Sequence, residues 1–533
     1  MRVATGQGRI LTERRSSAYV DARMSDSIAP AGYPVIVGVG QLTNRAQTTD
    51  ASIEPVELMA QAARLADEDA GGGLLSQISS LQVVNVISWP YPDAPGLLAS
   101  RIGADPAHTL YSAIGGETPQ RLVNETAEAI VAGRTRVALI AGAEAMHSRR
   151  LARAEDSRLH WSPRGTPERI VGDMRNGFSD VEARHGAVLP SRMYPLFENA
   201  IRARAGRTIE EHQAHLGRLC ARFTEVAAAN PYAWFPQKRT PEEIATVSQD
   251  NRWVAFPYTK LMNAIMQVDQ GAALILTGSE AARELGVPEE KWVYLHGCGD
   301  ANDKWFLGDR VEYHTSPAIR AVTQRALRMA GASVEEIEMF DLYSCFPAAV
   351  QLALDALGLS PDDSRPLTLT GGLPYAGGPG NNYVSHSIAT AVERLRERPG
   401  ARALVTGLGW FATKHSAGVY STRPPAGEWH RTDPALDQGA LDAMESPRQV
   451  ATPSGEATVE TYSVAFGQEG EPEQAIVIGR LTADESNGSA GRFIANTPPD
   501  PGLMWAMTRE EFVGSNGVVA HDAASQRNLF EPL

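Results

Sequence analysis

Cysteine is scarce. The chain has three in 533 residues, Cys220, Cys298 and Cys345. They lie far apart and form no CxxC pair, which argues against a disulfide framework and a cysteine-rich zinc site and fits a reducing, cytoplasmic setting. Positive charge is also short: Lys and Arg total 49 against 63 Asp and Glu, a formal charge of −14. Such a balance argues against a general binder of nucleic acid or of anionic membrane. No apolar run approaches the roughly 20 residues that span a bilayer. The glycine-rich stretch 372–380 has neither the GxGxxG nor the GxxxxGKS/T spacing, and no other stretch has either after a strand, so dinucleotide and P-loop sites are not supported.

What remains is an ordinary globular composition, 43% hydrophobic and 21% charged, long enough for about three domains. Residues 1–33 carry Arg2, Arg9, Arg14, Arg15 and Arg23 without apolar periodicity or an h-region. Glu13, Asp21 and Asp26 weaken a transit-peptide reading. This segment reads as a disordered tail rather than a secretory signal, with a start at Met24 left open.

The informative feature is a weak internal repeat. Pro34-Val35-Ile36-Val37-Gly38-Val39-Gly40 reads as a buried strand before a glycine turn. A helix follows over 55–69, with Val56, Met59, Ala63 and Leu65 near helical spacing. Then come a strand over 81–87, a short helix over 95–102, a loop at Gly115-Gly116, a long helix ending at Gly133, and a strand over 137–142. About 260 residues later the order returns: a strand over 292–297, a helix over 317–330, a strand over 337–342, a helix over 347–357, the Gly377-Gly378 loop, a helix over 381–396 and a strand over 403–407. Strands alternating with amphipathic helices imply sheets sandwiched by helices, and two copies imply a pseudo-twofold core. The copies are divided by an insertion over 147–265, rich in charge and aromatics and carrying an amphipathic helix over 211–229, suited to cover a site. Residues 34–146 and 266–290 make the first half and 291–423 the second. Residues 424–450 read as a linker and 451–533 as a β-rich domain, with strands over 458–466, 473–481 and 492–495 and a helix over 501–512.

These halves, the insertion, Val268-Asp269-Gln270-Gly271-Ala272-Ala273 and Phe340-Asp341-Leu342-Tyr343-Ser344-Cys345-Phe346 together resemble the thiolase superfamily, over about residues 34–420. The resemblance is to thiolase-like proteins of the sterol-carrier type that carry an additional C-terminal domain and are usually named acetyl-CoA acetyltransferases. It implies an α/β fold: a duplicated αβαβα core, an inserted loop domain and a C-terminal β-rich domain. It also implies acyl transfer through a cysteine thioester, which needs a thiolate, a base and oxyanion donors.

By the same resemblance, the nucleophile belongs at Gly116, the histidine of Gly-His-Pro at Gly378, and the cysteine of Cys-x-Gly at Gly407; here all three are glycine. Thr118 and Pro119 read as N-cap and first residue of the following helix. Cys345 stands in the segment where the family keeps an acid/base cysteine, just before Pro347 at a helix start, where the helix dipole favours a thiolate. Tyr343 replaces the family's histidine there and offers a donor. His415, in a loop after the last strand, and His386, in the helix after Gly378, are the candidate bases. Each has an ordinary structural alternative. Gly116, Gly378, Tyr343 and Asn382 are the candidate substrate-binding positions, with helix capping the alternative for Asn381 and Asn382. His212 and His215 read as a solvent-exposed pair. His296 and Cys298 do not amount to a metal site.

Two functions follow as expectations. One is an acyl-CoA-dependent acyltransferase of lipid metabolism with a degenerate site, using Cys345 with His415 or His386. The alternative is a non-catalytic protein that binds acyl-CoA or lipid, or a subunit of a complex. Neither reading requires a metal or a resident cofactor, since the coenzyme A thioester is substrate. The expected partner is acyl-CoA, with no nucleic acid and no membrane span. A homodimer and a monomer both stay open.

Overall fold

The computed structural model describes residues 32–482 and 490–533. The tail and the start at Met24 lie outside the described residues. The first copy contributes strands β1 (Pro34–Thr43), β2 (Ser80–Val83), β3 (His108–Tyr111) and β4 (Val137–Ala145). The insertion adds β5 (Trp253–Phe256) and β6 (Tyr258–Thr259), and β7 (Asp269–Gly278) completes the copy. The second copy supplies β8 (Val293–Asn302), β9 (Met339–Asp341), β10 (Arg402–Gly409) and β11 (Lys414–Ser421). These strands, without β5 and β6, form one sheet in the order β3-β2-β4-β7-β1-β8-β11-β10-β9.

The order carries the duplication. β1 and β8 meet at the centre, pairing at Val35 with Tyr294 and Ile36 with Val293. On each side an antiparallel pair, β4 with β7 and β10 with β11, is flanked by a parallel neighbour, β2 or β9. The helices Thr118–Val131 and Tyr383–Glu397 pack on each other and on strands of both halves, so they form the central layer. Pro55–Asp69 and Pro317–Met329 cover the outside, against β1 and β7 and against β8 and β11. The result is the αβαβα core expected from the repeat.

Glycine explains the close packing in both copies alike. A Cβ at Gly38 would overlap the Ala66 carbonyl, and one at Gly297 would overlap the Ala326 carbonyl. Each outer helix therefore rests its backbone directly on the first strand of its copy. This draws Ala62 and Ala66 inward, and Leu65, expected on the buried face, is 42% exposed.

β12 (Gly455–Phe466), β13 (Pro472–Leu481), β14 (Arg492–Asn496), β15 (Asn516–Asp522) and β16 (Arg527–Pro532) follow. Their order β13-β14-β16-β15-β12, closed by β12 on β13, is a five-stranded barrel. The insertion's β5 adds to it through Val464 with Phe256 and Ala465 with Ala255. The interior is apolar, with Tyr462, Val464, Val477, Phe493 and Phe530, and Met504 and Phe512 close one end.

Several local expectations change. β2 stops at Val83, and the helix starting at Pro501 ends at Ala506. Residues Pro434–Asp442, read within a linker, form a helix against β8. His212 and His215 are buried, not exposed. The reason is Glu198, a fully buried carboxylate that needs partners: His212 Nε2 lies 2.7 Å from it, and Tyr258 and Gln351 donate to it at 2.7 and 2.5 Å.

Candidate functional site

The glycine loop 115–117 ends at Glu117, the N-cap of the helix Thr118–Val131, so the cap lies one residue earlier than expected. Of the two asparagines after Gly378, Asn381 holds this loop and Asn382 holds the strand β4. Asn381 accepts the Gly115 amide at 2.9 Å and donates to the Asn85 carbonyl at 2.8 Å. Asn382 donates to the Gly142 carbonyl at 2.6 Å and accepts from Ser385 at 2.7 Å. Both side-chain amides are engaged inside the fold, and neither caps the helix with its side chain.

The three glycine landmarks differ in the space above them. At Gly116 a Cβ would overlap the Tyr343 hydroxyl and the Leu408 carbonyl. At Gly407 it would meet Glu117 Cα at 2.8 Å and Ser416 Oγ at 2.9 Å. At Gly378 the nearest atoms stand at 3.3 Å, the Ile265 carbonyl, and 3.4 Å, on Leu373. Two positions are therefore closed to a side chain, and the third takes a Cβ only if the Ile265 carbonyl gives way by a few tenths of an ångström. Tyr343 is wedged edge-on against Tyr383, with ring centroids 5.6 Å apart, and its amide donates to Thr406 Oγ1 at 2.9 Å. Burial lifts its phenol well above the usual range, so it stays a neutral donor.

Glu117 fills the room that the small residues leave. A Cβ at either Gly115 or Gly409 would overlap its carboxylate. Oε1 lies 3.2 Å from Lys414 Nζ, both side chains being buried, and Oε2 has no protein partner. Lys414 also donates to the Ile114 carbonyl. This pair faces a cavity of about 380 Å³ whose walls include Arg121, Asp173, Asp300 and His415. Burial pushes the Asp300 carboxyl up to about 6, against the pull of Arg431 at 2.8 Å. Sequence reading missed Glu117 and Lys414. The available signal was a charged residue directly after the glycine pair at the nucleophile's position.

Cys345 lies where β9 turns into the helix Pro347–Leu357, with Phe346 as N-cap. Burial pushes its thiol up to about 12, and contact with the Tyr194 hydroxyl offsets this only in part. That hydroxyl also donates to the Trp410 carbonyl at 3.0 Å and accepts the Ala412 amide at 3.2 Å. His415 belongs to β11 rather than to a loop, and its Nε2 bonds the Ala412 carbonyl at 3.0 Å. His386 bonds Gln41 Oε1 at 3.1 Å through Nδ1. Burial lowers the two histidines to about 4 and about 3, so both are neutral near pH 7. No hydrogen bond joins either one to Cys345. Cys345 is linked to the turn 410–413 through the Tyr194 hydroxyl, whereas His415 bonds that turn directly at the Ala412 carbonyl; Trp410 and Ala412 both have positive φ. Among the described residues no cluster of three or more His, Cys, Asp or Glu is placed to hold a metal.

A second, largely apolar groove of about 780 Å³ opens beneath the insertion, lined by Phe235, Leu261, Ile265, Pro374 and Tyr375, with Lys260 and Arg239 in its wall. Backbone bonds tie it to the landmarks. Ala264 donates to the Cys345 carbonyl at 3.1 Å, Ile265 to Leu373 at 3.2 Å, and Gly378 to Ile265 at 2.8 Å. One strip of chain, 264–265, thus separates the groove from Cys345 and Gly378.

Residues 438–524 match the family model described as the thiolase-like protein type 1 additional C-terminal domain. The crystal structure of a monomeric SCP2-thiolase like protein type 1 from Mycobacterium smegmatis superposes with a TM-score of 0.80 at 37% identity, over 95% of this chain and 100% of that one. The acetyl-CoA acetyltransferase from Syntrophomonas wolfei shares the fold at 16% identity and a TM-score of 0.52, over 73% of this chain and 99% of its own. In sequence, an acetyl-CoA acetyltransferase of Methanothermobacter thermautotrophicus is 26% identical over 236 residues, 42% of this chain and 58% of its own. The chain spans about half the length of the curated relatives it matches.

Proposed function

Because the chain belongs to the thiolase superfamily, as a thiolase-like protein of type 1 with the added C-terminal domain, we propose that it binds an acyl-CoA or a related lipid thioester without turning it over. The observation that carries this reading is the Tyr343 hydroxyl seated over Gly116, in the space a nucleophilic side chain would need. A covalent acyl-enzyme requires a thiolate beside a base. Gly116, Gly378 and Gly407 supply neither, and Cys345 is a buried thiol with no histidine bonded to it.

Binding has a place in the apolar groove behind the strip 264–265. Phe235, Leu261, Ile265 and Tyr375 suit an acyl or pantetheine chain, while the wall carries Lys260 and Arg239 together with Glu242, Glu243 and Asp250. Each buried methylene of such a chain contributes about 0.8 kcal/mol. The competing reading, acyl transfer through Cys345, draws on the position of that cysteine in the family's active-site segment. The monomeric state described for the Mycobacterium smegmatis relative is also the state we propose here.

The test is calorimetric titration of the purified protein with acetyl-CoA and longer acyl-CoAs, with assay for free coenzyme A and mass spectrometry of Cys345. Saturable binding, weakened by Ile265→Asp, with no turnover and no adduct is the expected result. An acyl adduct on Cys345, or turnover abolished by Cys345→Ala, establishes the transferase instead. Absence of binding removes both.

A further inference from the structure

A second site lies away from both cavities, on the edge of the first half. The helix Met146–Ala154 leaves β4, and the chain after it folds back across the loop that follows β2. Together they border an open surface pocket of about 510 Å³ whose walls include Arg149, Arg153, Arg158, Arg164, Trp89 and Trp161. It shares no lining residue with the groove or with the Glu117 cavity.

The pocket is built rather than incidental. Trp89 and Trp161 meet edge to face with centroids 4.9 Å apart, and the Trp89 indole donates to the Ser162 carbonyl at 2.9 Å. Ser162 is pinned in turn, its amide donating to Glu54 at 2.9 Å. Glu54 is held by Arg101 at 2.6 Å. Arg164 lies over the Trp89 ring, 4.8 Å from its centroid. Stacking of this kind covers the guanidinium face and leaves its N–H edge free for an acceptor.

The charges are not balanced locally. None of the four arginines forms an ion pair with a described carboxylate. Glu155, next to the helix end, turns away to accept the Thr49 amide at 3.1 Å. The buried Glu144 carboxyl acts on Arg149 through space but is itself occupied by the Ile87 and Ser88 amides, both at 2.7 Å. Arg153 and Arg164 press on Arg149 with like charge. Four arginines lining one pocket in a chain of formal charge −14 are an arrangement that an anion stabilises.

We propose that this pocket binds a small anion carrying two adjacent phosphoryl groups, either pyrophosphate or a diphosphate ester. Phosphoryl oxygens accept from several guanidiniums at once, and two linked groups match four arginines better than a single carboxylate does. The net negative charge of the chain opposes a long polyanion such as nucleic acid, which limits the ligand to a small molecule.

The experiment titrates the full chain with inorganic pyrophosphate and, separately, with ADP, by calorimetry at two salt concentrations. No acyl-CoA is present, so failure here leaves the groove reading untouched. Saturable binding is expected, weakening with salt and falling at least about tenfold in Arg153→Gln/Arg158→Gln, whose exposed side chains carry no packing role. Tighter binding of ADP assigns the ester; equal or weaker binding assigns free pyrophosphate. No saturable binding of either, or binding unchanged in that variant and in Arg164→Gln, overturns the proposal.

Discussion

The Tyr343 hydroxyl sits over the Cα of Gly116, so closely that a Cβ at Gly116 would overlap it. A side chain at position 116 and the tyrosine at position 343 therefore compete for the same space. Restoring a cysteine alone, Gly116→Cys, is expected to destabilise the fold by about 1–3 kcal/mol through overpacking. Gly116→Cys with Tyr343→Ser recovers only part of that loss, because the Leu408 carbonyl also stands where the Cβ would go. Urea denaturation of the single and double variants measures it. Equal stability of wild type and the single variant would contradict the tight contact.

Cys345 is expected to resist alkylation. With its thiol raised to about 12 by burial, its thiolate population near pH 8 falls roughly a thousandfold below that of a free cysteine. Iodoacetamide treatment of the native protein, followed by mass spectrometry of the Cys345 peptide, should show little labelling until denaturant is added. Rapid native labelling would revive the cysteine as a nucleophile.

Acid should weaken the protein through its buried histidines. Burial lowers His386 to about 3 and His415 to about 4. Their unfolded forms take a proton near the ordinary value of about 6.5. A depressed folded value means that the stability is present above about pH 6.5 and drains as the pH falls toward the folded values. Glu144 runs the other way: burial raises it to about 7, so its contribution is present at low pH and lost as the pH rises through about 7. The histidine effect is isolated by substitution. Between pH 6.5 and 5, wild type should lose about 2 kcal/mol more stability than His386→Gln, which keeps a donor for Gln41. Urea melts at the two pH values decide it, and parallel losses would show that His386 is protonated in the fold.

Much of the core was legible because its signals are local. The helices Pro55–Asp69 and Pro347–Leu357 begin at prolines and carry apolar faces, and both match the expected spans. The duplicated order of strands follows from runs such as Val137–Ala145, buried along their whole length. What escaped depends on partners distant in sequence. β11 opens with Lys414 and His415, polar residues that become buried only because β8 and β10 flank them. The pairing of Glu117 with Lys414 joins residues from different halves. His212 is drawn inside by Glu198 from another helix. β15 and β16 alternate weakly, and closure of the barrel is what makes them strands.

Among the ties between the barrel and the core is a buried arginine, and this joint is open to test. Arg492, 1% exposed, donates to Glu460 at 2.6 and 3.0 Å and to the carbonyls of Gly308 at 3.1 Å, Val311 at 3.3 Å and Arg310. Its guanidinium also lies 4.8 Å from the Tyr313 ring centroid. Those carbonyls belong to the second thiolase half, whereas Glu460 belongs to β12. Arg492→Ala would leave Glu460 with Arg480 alone and three carbonyls without this donor, at a cost of about 3–5 kcal/mol. Arg492→Lys keeps the charge but loses the fork, so it should recover only part of that loss. Although Ile476, Ile478 and Ile494 of the barrel also pack into the main core, loss of this joint should let the alanine variant unfold in two steps, the barrel first. Comparing urea transitions followed by near-ultraviolet and far-ultraviolet circular dichroism reads this directly. Coincident transitions at wild-type stability would show that the remaining contacts, Arg202 with Glu511 among them, hold the barrel in place.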